Sequence, residues 1–308
     1  MKGAILSMDL KTPLYDEHVK AGGKIVSFAG YLLPVQYGTG VIKEHMAVRT
    51  QAGLFDVSHM GEILCEGKDA LANLQMLLTN NFDNLVDGQA RYSPMCTEEG
   101  GTVDDLIVYK KSDNHYFIVV NAANKDKDYQ WMINHKFGDA VFTDVSEEYA
   151  QLAVQGPKAM EIIRKLTREE EIPSKYYHAV FDAQVAGISC IISKTGYTGE
   201  DGVELYFKSK DAARMWNTLL ENGKEDIGII YLRSGPKRMR IRCGIISPTK
   251  PIGPAKAVVA PHSNTPARAP IPLVNFVLTP KPVAISSPKA RLFNEGISNM
   301  EIIKPVSR

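Results

Sequence analysis

The fold of this chain is decided at residues 100–109, which read Gly100-Gly101-Thr102-Val103-Asp104-Asp105-Leu106-Ile107-Val108-Tyr109. A glycine pair precedes two adjacent carboxylates and an apolar run that is typical of a buried strand. Because side chains alternate along a strand, we expect Asp104 and Asp105 on opposite faces, one near solvent or a turn and the other facing inward. An inward carboxylate is costly unless it is paired or hydrogen-bonded, so the inner one is a candidate ligand-binding acid. Taken alone, Asp-Asp beside Gly-Gly is more often turn chemistry than a site.

Short apolar runs alternate with helical patterns along the chain, which predicts a mixed α+β fold. Strands are predicted at 61–66, 106–109, 116–120, 149–154 and 203–207, with the second and third forming a hairpin that turns at 112–114. Helices are predicted at 68–79, 157–167 and 211–221. The units 61–79 and 149–167 share a strand, a glycine and a Leu-Thr finish, a weak signal of duplication.

The composition divides the chain into two parts. Its 308 residues, 44% of them hydrophobic, are enough for two domains or one large one. Residues 1–231 carry 23 Lys/Arg and 33 Asp/Glu, whereas residues 232–308 carry 13 Lys/Arg and two acids. The second part also holds 12 of the 17 prolines, which disfavours helices and central strands. We therefore predict a mildly acidic enzyme followed by a basic, proline-rich segment.

Cysteine and histidine usage predicts neither a metal site nor a disulfide framework. The four cysteines are scattered without a C-x-x-C pair, and the seven histidines are equally dispersed. No apolar run approaches the roughly 18 residues of a membrane span, and residues 1–10 lack the pattern of a signal peptide. A reducing, cytoplasmic setting is the default expectation.

Asp56, Ser58 and His59 contain the residue types of a hydrolase triad, but this interpretation is rejected. A nucleophile, its base and the orienting acid must meet in space, and residues this close on one strand or turn rarely do so. We expect a structured turn instead, with His59 hydrogen-bonded inside the fold.

The stretch 194–205 (KTGYTGEDGVEL) is a better candidate for ligand binding. Its glycines allow the backbone to approach a ligand closely, and Tyr197 offers a flat ring with a polar tip. Glu204 stands in an alternating strand and is expected to project inward, where a carboxylate can accept hydrogen bonds from a heteroaromatic ring. Without further context, a glycine-rich hairpin with a solvated acid is equally expected. Aromatic and amide side chains that suit the same kind of ligand are Tyr92, Asn121, Tyr176 and Tyr177.

Four motifs in order carry a resemblance to a known family. They are residues 12–15 (TPLY) with 28–31 (FAGY), 55–61 (FDVSHMG), 100–109 and 194–205. In identity and order they resemble the aminomethyltransferase, or T-protein, of the glycine cleavage system, from about residue 12 to about residue 229. The resemblance implies a folate-binding fold of two ferredoxin-like, antiparallel-sheet subdomains within 1–230, interleaved and spanning roughly 12–145 and 146–230.

The resemblance also implies site residues. Asp105 matches the acid regarded as catalytically important, beside the reacting nitrogens of the folate, and Glu204 matches the acid that binds the pterin. The remaining positions that match the lining of the folate cavity are Tyr92, Asn121, Tyr176 and Tyr197, with Tyr177 as a further candidate. In the implied reaction, tetrahydrofolate accepts the aminomethyl carbon carried on the lipoyl arm of the H-protein, ammonia is released and 5,10-methylenetetrahydrofolate forms. No nucleic-acid or membrane partner is expected.

The resemblance stops near residue 230. The family continues with a Gly-Leu-Gly-Ala-Arg-Asp motif, whose arginine contacts folate, and with a C-terminal β-barrel, whereas residues 228–238 here read GIIYLRSGPKR. Arg233 and Arg238 lie in no matching context, so the role is not transferred to either. We expect the barrel to be absent or replaced by the segment 231–308, which out-of-frame translation explains better than a diverged basic tail that docks an acidic partner.

Two other functions are considered. A non-catalytic folate-binding relative linked to iron–sulfur cluster maintenance carries Lys-Gly-Cys-Tyr where this chain has Lys194-Thr195-Gly196-Tyr197. A folate-dependent demethylase acting on methylamines is often fused to a flavoprotein, but the sequence shows no dinucleotide-binding fingerprint.

Overall fold

The computed structural model describes residues 9–224 and the backbone of residues 229–232. They form a mixed α+β structure, as predicted. The elements in chain order are β1 (Leu10–Lys11), α1 (Tyr15–Lys20), β2 (Ile25–Phe28), β3 (Tyr31–Pro34), α2 (Val41–Thr50), β4 (Ala52–Asp56), β5 (Gly61–Glu66), α3 (Ala70–Leu77), β6 (Ala90–Cys96), β7 (Thr102–Ser112), β8 (His115–Val120), α4 (Lys125–His135), β9 (Val141–Asp144), β10 (Tyr149–Gln155), α5 (Ala159–Arg164), β11 (Ala179–Val185), β12 (Ile188–Ser193), β13 (Gly202–Lys208), α6 (Ala212–Gly223) and β14 (Ile229–Leu232). The predicted tail 231–308 lies outside the described residues, apart from the backbone of 231–232.

A five-stranded sheet contains most of the stretch 100–109, as part of β7. Its order is β6-β7-β8-β5-β9, and every pair is antiparallel. The predicted hairpin is present as β7 and β8. One face packs on α3 and α4, where Leu74 and Met132 join Leu106 and Val108 in a buried core. The central position of β7 explains its long apolar run, because both faces of the strand are covered.

A six-stranded sheet, ordered β11-β12-β13-β10-β4-β14, forms the second half of the structure. Only β14 is parallel to its neighbour, β4. Its outer face packs on α5 and α6, with Ile163 and Trp216 buried against Leu152 and Leu205. Strand β4 pairs with β10, so residues from both predicted subdomains contribute strands to this sheet.

The inner faces of the two sheets meet around a cluster of aromatic rings. Tyr109 and Phe117 from the five-stranded sheet contact Tyr206 from the six-stranded sheet, with ring centroids 5.8 and 5.3 Å from that of Tyr206. Edge-to-face packing at these distances is favourable beyond the area that the rings bury. Period-two alternation therefore places Asp105 and Glu204, two residues from Ile107 and Tyr206 respectively, on these inner faces.

The predicted helix ends are wrong in two places. α3 ends at Leu77 and α5 ends at Arg164, before Leu78 and Leu166, which the apolar spacing assigned to the helices. Both leucines still pack into the cores. The N–H of Leu166 donates to the carbonyl of Ile163, three residues earlier, as in a 3₁₀ turn. The spacing of apolar side chains therefore extends beyond the last α-helical residue, and Leu166 still reaches the core.

Within the described residues, no helix is long and apolar enough to cross a membrane.

Candidate active site

Asp105, near the start of β7, lies next to Asn121, at the end of the neighbouring strand β8. Asp105 pairs with Pro94 of β6, and Asn121 follows directly after β8. The side-chain amide of Asn121 donates to the Asp105 carbonyl oxygen at 3.0 Å and approaches the Asp105 carboxylate at 3.4 Å. Tyr92 occupies the same face of the sheet, because it pairs with Ile107. The structure thus brings together three of the residues predicted from the sequence.

The two paired acids differ in exposure, as expected of neighbours on opposite faces of a strand. Asp104 is 8% exposed and points into the core beneath α4, while Asp105 is partly buried on the opposite face. The faces are opposite, as alternation requires, but α4 covers one of them. Asp104 accepts a hydrogen bond from Asn121 at 3.1 Å.

Glu204 is the centre of a polar network on the inner face of the six-stranded sheet. It accepts hydrogen bonds from Gln151 at 3.2 Å, from Thr195 and, at 3.5 Å, from Tyr206. Burial raises the pKa of Glu204, and these donors offset part of that shift because they favour the charged form. The predicted inward orientation of Glu204 is therefore observed, although the residue as a whole remains partly exposed.

Tyr109 connects this network to the five-stranded sheet. Its hydroxyl lies 3.0 Å from the hydroxyl of Tyr206 and 3.2 Å from those of Thr195 and Ser193. Burial and the Glu204 charge raise the pKa of Tyr109, so the phenol stays protonated and available as a donor. The stretch that defined the fold thus supplies Asp105 at one point of its inner face and Tyr109 four residues later, roughly 13 Å along the strand.

The glycine-rich stretch 194–202 is fixed at its base and exposed at its tip. Tyr197 is 73% exposed, whereas the carbonyl of Thr198 and the carboxylate of Glu200 accept hydrogen bonds from Arg49 of α2 at 2.7 and 2.8 Å. A Cβ at Gly196 would overlap the side chain of Gln155. A larger residue at this position would have to displace the end of the Gln155 side chain, which bonds Thr195 and Thr198.

The other predicted tyrosines lie at the edge of the two sheets. Tyr176 and Tyr177 are 58% and 50% exposed. The Tyr176 hydroxyl donates to Asp201 at 3.0 Å, and the ammonium of Lys194 lies 5.2 Å from its ring. Tyr177 adopts a left-handed conformation (φ 56°). Its carbonyl accepts from the N–H of Ala90 in the five-stranded sheet, and its own N–H donates to the carbonyl of Lys194, which follows β12 of the six-stranded sheet. Ala29 and Ala186 share this conformation in turns between paired strands, so at Tyr177 it marks a tight turn of the backbone.

The motif at 55–61 is a structured turn, as predicted. Asp56 accepts hydrogen bonds from Thr12 and from the Ser58 backbone and contacts His18, while the Ser58 hydroxyl donates to the carbonyl of Gln151. His59 is buried, with its ring edge-on to nearby aromatic rings. These contacts are structural, and they continue into Gln151, which binds Glu204.

Sequence reasoning missed polar residues in two places, around Glu204 and behind Asp105. Gln151 is buried in β10, one of the predicted strands. An amide isolated among apolar residues was the sequence signal for a role at this position. Thr195 lies in the stretch 194–205, but its sequence context indicated no role for it. Asp128, fully buried in α4, had no signal, because it lies in a charged run typical of a surface. In the part of the chain that the structure describes, no group of three His, Cys, Asp or Glu side chains could hold a metal ion.

Comparison with known proteins decides the family. The family model of the GCVT N-terminal domain matches residues 14–234. The chain belongs to this GCVT family. The recognition made from four motifs is confirmed, and so is the mixed α+β fold with antiparallel sheets.

The GCVT-family relatives include curated aminomethyltransferases. The chain is 49% identical over 216 residues to the aminomethyltransferase of Geobacillus sp. (strain WCH70) and 51% identical over 216 residues to that of Bacillus cereus (strain B4264). The match covers 70% of this chain and 59% of each relative, so the chain spans somewhat more than half the length of these proteins. A solved GCVT-family structure, the glycine cleavage system aminomethyltransferase T from Bartonella henselae, is similar with a TM-score of 0.65 and 32% identity, covering 73% of this chain and 59% of that one.

Proposed function

We propose that this GCVT-family chain is an aminomethyltransferase of glycine cleavage. It transfers the aminomethyl carbon from the lipoyl arm of the H-protein to tetrahydrofolate, releases ammonia and yields 5,10-methylenetetrahydrofolate. The observation that carries the proposal is the pairing of Asp105 with Asn121 on one inner face and the Glu204 network on the opposing inner face. The curated relatives that match 216 residues of the chain are named aminomethyltransferases, which supports the proposal.

The hydrogen-bonding capacity of Glu204 fits a flat ligand that presents donors. A carboxylate offers about four lone-pair positions. Gln151 uses one on Oε1, whereas Thr195 and Tyr206 both donate to Oε2. One position on Oε1 is left for a donor of the pterin ring, and the partial exposure of Glu204 allows access. A ring that donates to both oxygens would displace the long contact from Tyr206.

In the proposed mechanism the protein acts mainly through position and charge. Tetrahydrofolate supplies the nucleophilic nitrogen, and the carrier-bound methylene carbon is the electrophile. Glu204 fixes one end of the folate, the rings of Tyr92, Tyr176 and Tyr197 flank it, and Asp105 lies at the reacting end. Fixed orientation lowers the barrier by removing the entropy cost of the encounter. The Asp105 carboxylate stabilises positive charge that develops at the reacting nitrogens.

The setting proposed for this reaction is the cytoplasm, with lipoylated H-protein as the partner. Burial raises the pKa of the Cys65 and Cys190 thiols to about 12, so they stay protonated and unreactive. The described cysteines, Cys65, Cys96 and Cys190, are all free, which suits a reducing compartment.

The test of the proposed function is turnover with defined donors. We expect formation of 5,10-methylenetetrahydrofolate and ammonia only when both tetrahydrofolate and aminomethylated H-protein are supplied. Folate binding without turnover would favour the non-catalytic relative, and turnover of free methylamines without H-protein would favour the demethylase. Either outcome would contradict the proposal.

Glu204→Gln is expected to weaken tetrahydrofolate binding about 10- to 100-fold. A hydrogen bond to a charged acceptor contributes roughly 1.5–3 kcal/mol, and the glutamine loses that charge. Titration of intrinsic fluorescence with tetrahydrofolate measures the effect. Glu161→Gln is the matched control, since Glu161 is exposed on α5. Equal affinities for the two variants would remove Glu204 from the folate site.

For residues 231–308 we propose out-of-frame translation. The change in charge and proline content begins near residue 231. Resequencing the gene across codons 220–308 and translating all three frames is expected to reveal Gly-Leu-Gly-Ala-Arg-Asp and a barrel sequence in another frame. If resequencing instead confirms the present reading frame, the basic segment is part of the protein. Transfer activity would then have to be measured on the full 308-residue chain.

A further inference from the structure

A buried pair of carboxyl groups lies directly behind Asp105. Asp104 of β7 is 8% exposed and Asp128 of α4 is fully buried, and Asp104 Oδ2 and both carboxyl oxygens of Asp128 accept no hydrogen bond from the described residues. Two carboxyl groups can share a hydrogen bond only if one of them carries a proton. Burial and the neighbouring Asp104 raise the pKa of Asp128 to about 8, so the pair keeps one proton and one negative charge at neutral pH.

Asp104 of this pair accepts a hydrogen bond from the same amide that contacts Asp105. Nδ2 of Asn121 lies 3.1 Å from Asp104 Oδ1, 3.0 Å from the Asp105 carbonyl oxygen and 3.4 Å from Asp105 Oδ1. An amide nitrogen has two hydrogens, so the three acceptors compete for them. The orientation of Asn121, and the strength of its contact with Asp105, therefore depend on how strongly Asp104 attracts it.

We propose that Asp104 and Asp128 are a positioning pair that orients the Asn121 amide and, through it, the carboxylate of Asp105. The inference rests on the proposed function, because Asp105 has its role only there. The proton on Asp128 is donated to Asp104, which leaves Asp104 to accept from Asn121 with a single shared charge. The second hydrogen of the amide then reaches Asp105.

Few other charges act on this pair. On α4 the ammonium of Lys127 lies 3.6 Å from Asp128 Oδ1 and donates to the Val103 carbonyl of β7. Lys127 lowers the pKa of Asp128, but by less than burial and Asp104 raise it. Strand β9 also packs against α4, and the charge of its Asp144 contributes to the raised pKa of Glu62 on β5. Asp105 itself faces the pair across Asn121.

Loss of the shared proton is expected to disturb Asp105. Above a pH of about 8, Asp128 can no longer donate, and two buried negative charges repel each other. Asp104 then attracts the Asn121 amide more strongly, and the contact with Asp105 weakens. The kcat for aminomethyl transfer should fall about tenfold between pH 7 and pH 9, following one ionisation.

Asp128→Asn tests the pair, since an amide donates to Asp104 as the protonated acid does but cannot ionise. We expect the tenfold fall in kcat between pH 7 and pH 9 to be absent in this variant. Thermal unfolding supplies a second readout that needs no substrate. A carboxyl whose folded pKa is raised stabilises the fold fully below its unfolded pKa of about 4, and this stability is lost as pH rises towards the folded value near 8. That decline should be present in the wild type and smaller in Asp128→Asn.

The control is Asp126→Asn, which removes the same charge from an exposed position on α4 and should leave both pH profiles as in the wild type. An active wild type whose kcat falls equally in Asp128→Asn would overturn the positioning role while leaving the proposed function intact. A wild type without transfer activity would overturn both, although its stability profile would still report the shared proton. If Asp128→Asn does not fold, ¹³C-carboxyl NMR of the wild type decides, because the absence of a carboxyl titrating near pH 8 contradicts the pair.

Discussion

Asp105→Asn is expected to lower kcat for aminomethyl transfer about 10²- to 10³-fold, with little change in the KM for tetrahydrofolate. Removal of one preorganised electrostatic group beside the reacting atoms has an effect of this size. The variant keeps the shape of the side chain and the contact of the Asp105 carbonyl with Asn121, so the sheet should fold normally. The effect therefore appears in the chemical step and not in binding.

Steady-state kinetics with aminomethylated H-protein separates the two parameters. Asp83→Asn is a suitable control, since Asp83 is exposed and belongs to neither sheet. Circular dichroism and thermal unfolding establish that both variants are folded. Near-normal turnover in Asp105→Asn would exclude Asp105 as the acid beside the reacting nitrogens, and the site would have to be sought nearer Glu204.

The sequence was sufficient for features that depend on local periodicity. Strand alternation correctly predicted that Asp104 and Asp105 point to opposite faces and that Glu204 points inward. It could not predict that Asp104 is buried, because that depends on α4 packing over the outer face of β7. The first turn of α4 reads Lys-Asp-Lys-Asp, a charged pattern that gives no indication of a core position at Asp128.

Long-range contacts explain the rest of what was missed. Tyr109 and Thr195 are 86 positions apart in sequence, yet their hydroxyls lie 3.2 Å from each other. Neither residue has an unusual neighbourhood in its own strand or loop. Only the face-to-face packing of the two sheets turns Tyr109 into a donor of the Glu204 network, and no single-sequence pattern encodes that packing.

Asp56→Asn is expected to lower the free energy of unfolding by about 3–5 kcal/mol, because it removes a buried carboxylate and leaves buried donors without a charged acceptor. Asp56 is buried at the end of β4, and all its partners are donors. Thr12 lies 2.6 Å from Oδ2, the His18 ring 2.9 Å from Oδ2, and the Ser58 N–H 3.0 Å from Oδ1. An asparagine must turn its own NH₂ towards at least one of these donors, so even this isosteric change leaves buried groups unpaired.

Urea unfolding at two pH values tests this contribution. Burial alone raises the pKa of Asp56, but the hydrogen bond and charge of His18, with Thr12 and Ser58, outweigh it and lower the pKa overall. A carboxyl with a lowered folded pKa stabilises the fold above its unfolded pKa of about 4, and this stability is lost as pH falls through the folded value. The difference between wild type and Asp56→Asn should therefore be full at pH 7 and shrink below pH 4. An exposed-site control, Asp16→Asn on α1, should differ little from wild type at pH 7.

The position of Asp56 means that its loss should extend to the proposed folate site. On one side, His18 packs edge-on against Trp216 of α6, with ring centroids 5.2 Å apart, and so fixes α1 to the outer core. On the other side, Ser58 links Asp56 to the backbone of Gln151, whose side chain binds Glu204. A loss of about 3–5 kcal/mol is a large share of the roughly 5–15 kcal/mol that stabilises a typical domain. We therefore expect Asp56→Asn to weaken tetrahydrofolate binding at pH 7 without contacting it. Unchanged stability together with weaker binding would instead assign Asp56 a direct part in the site.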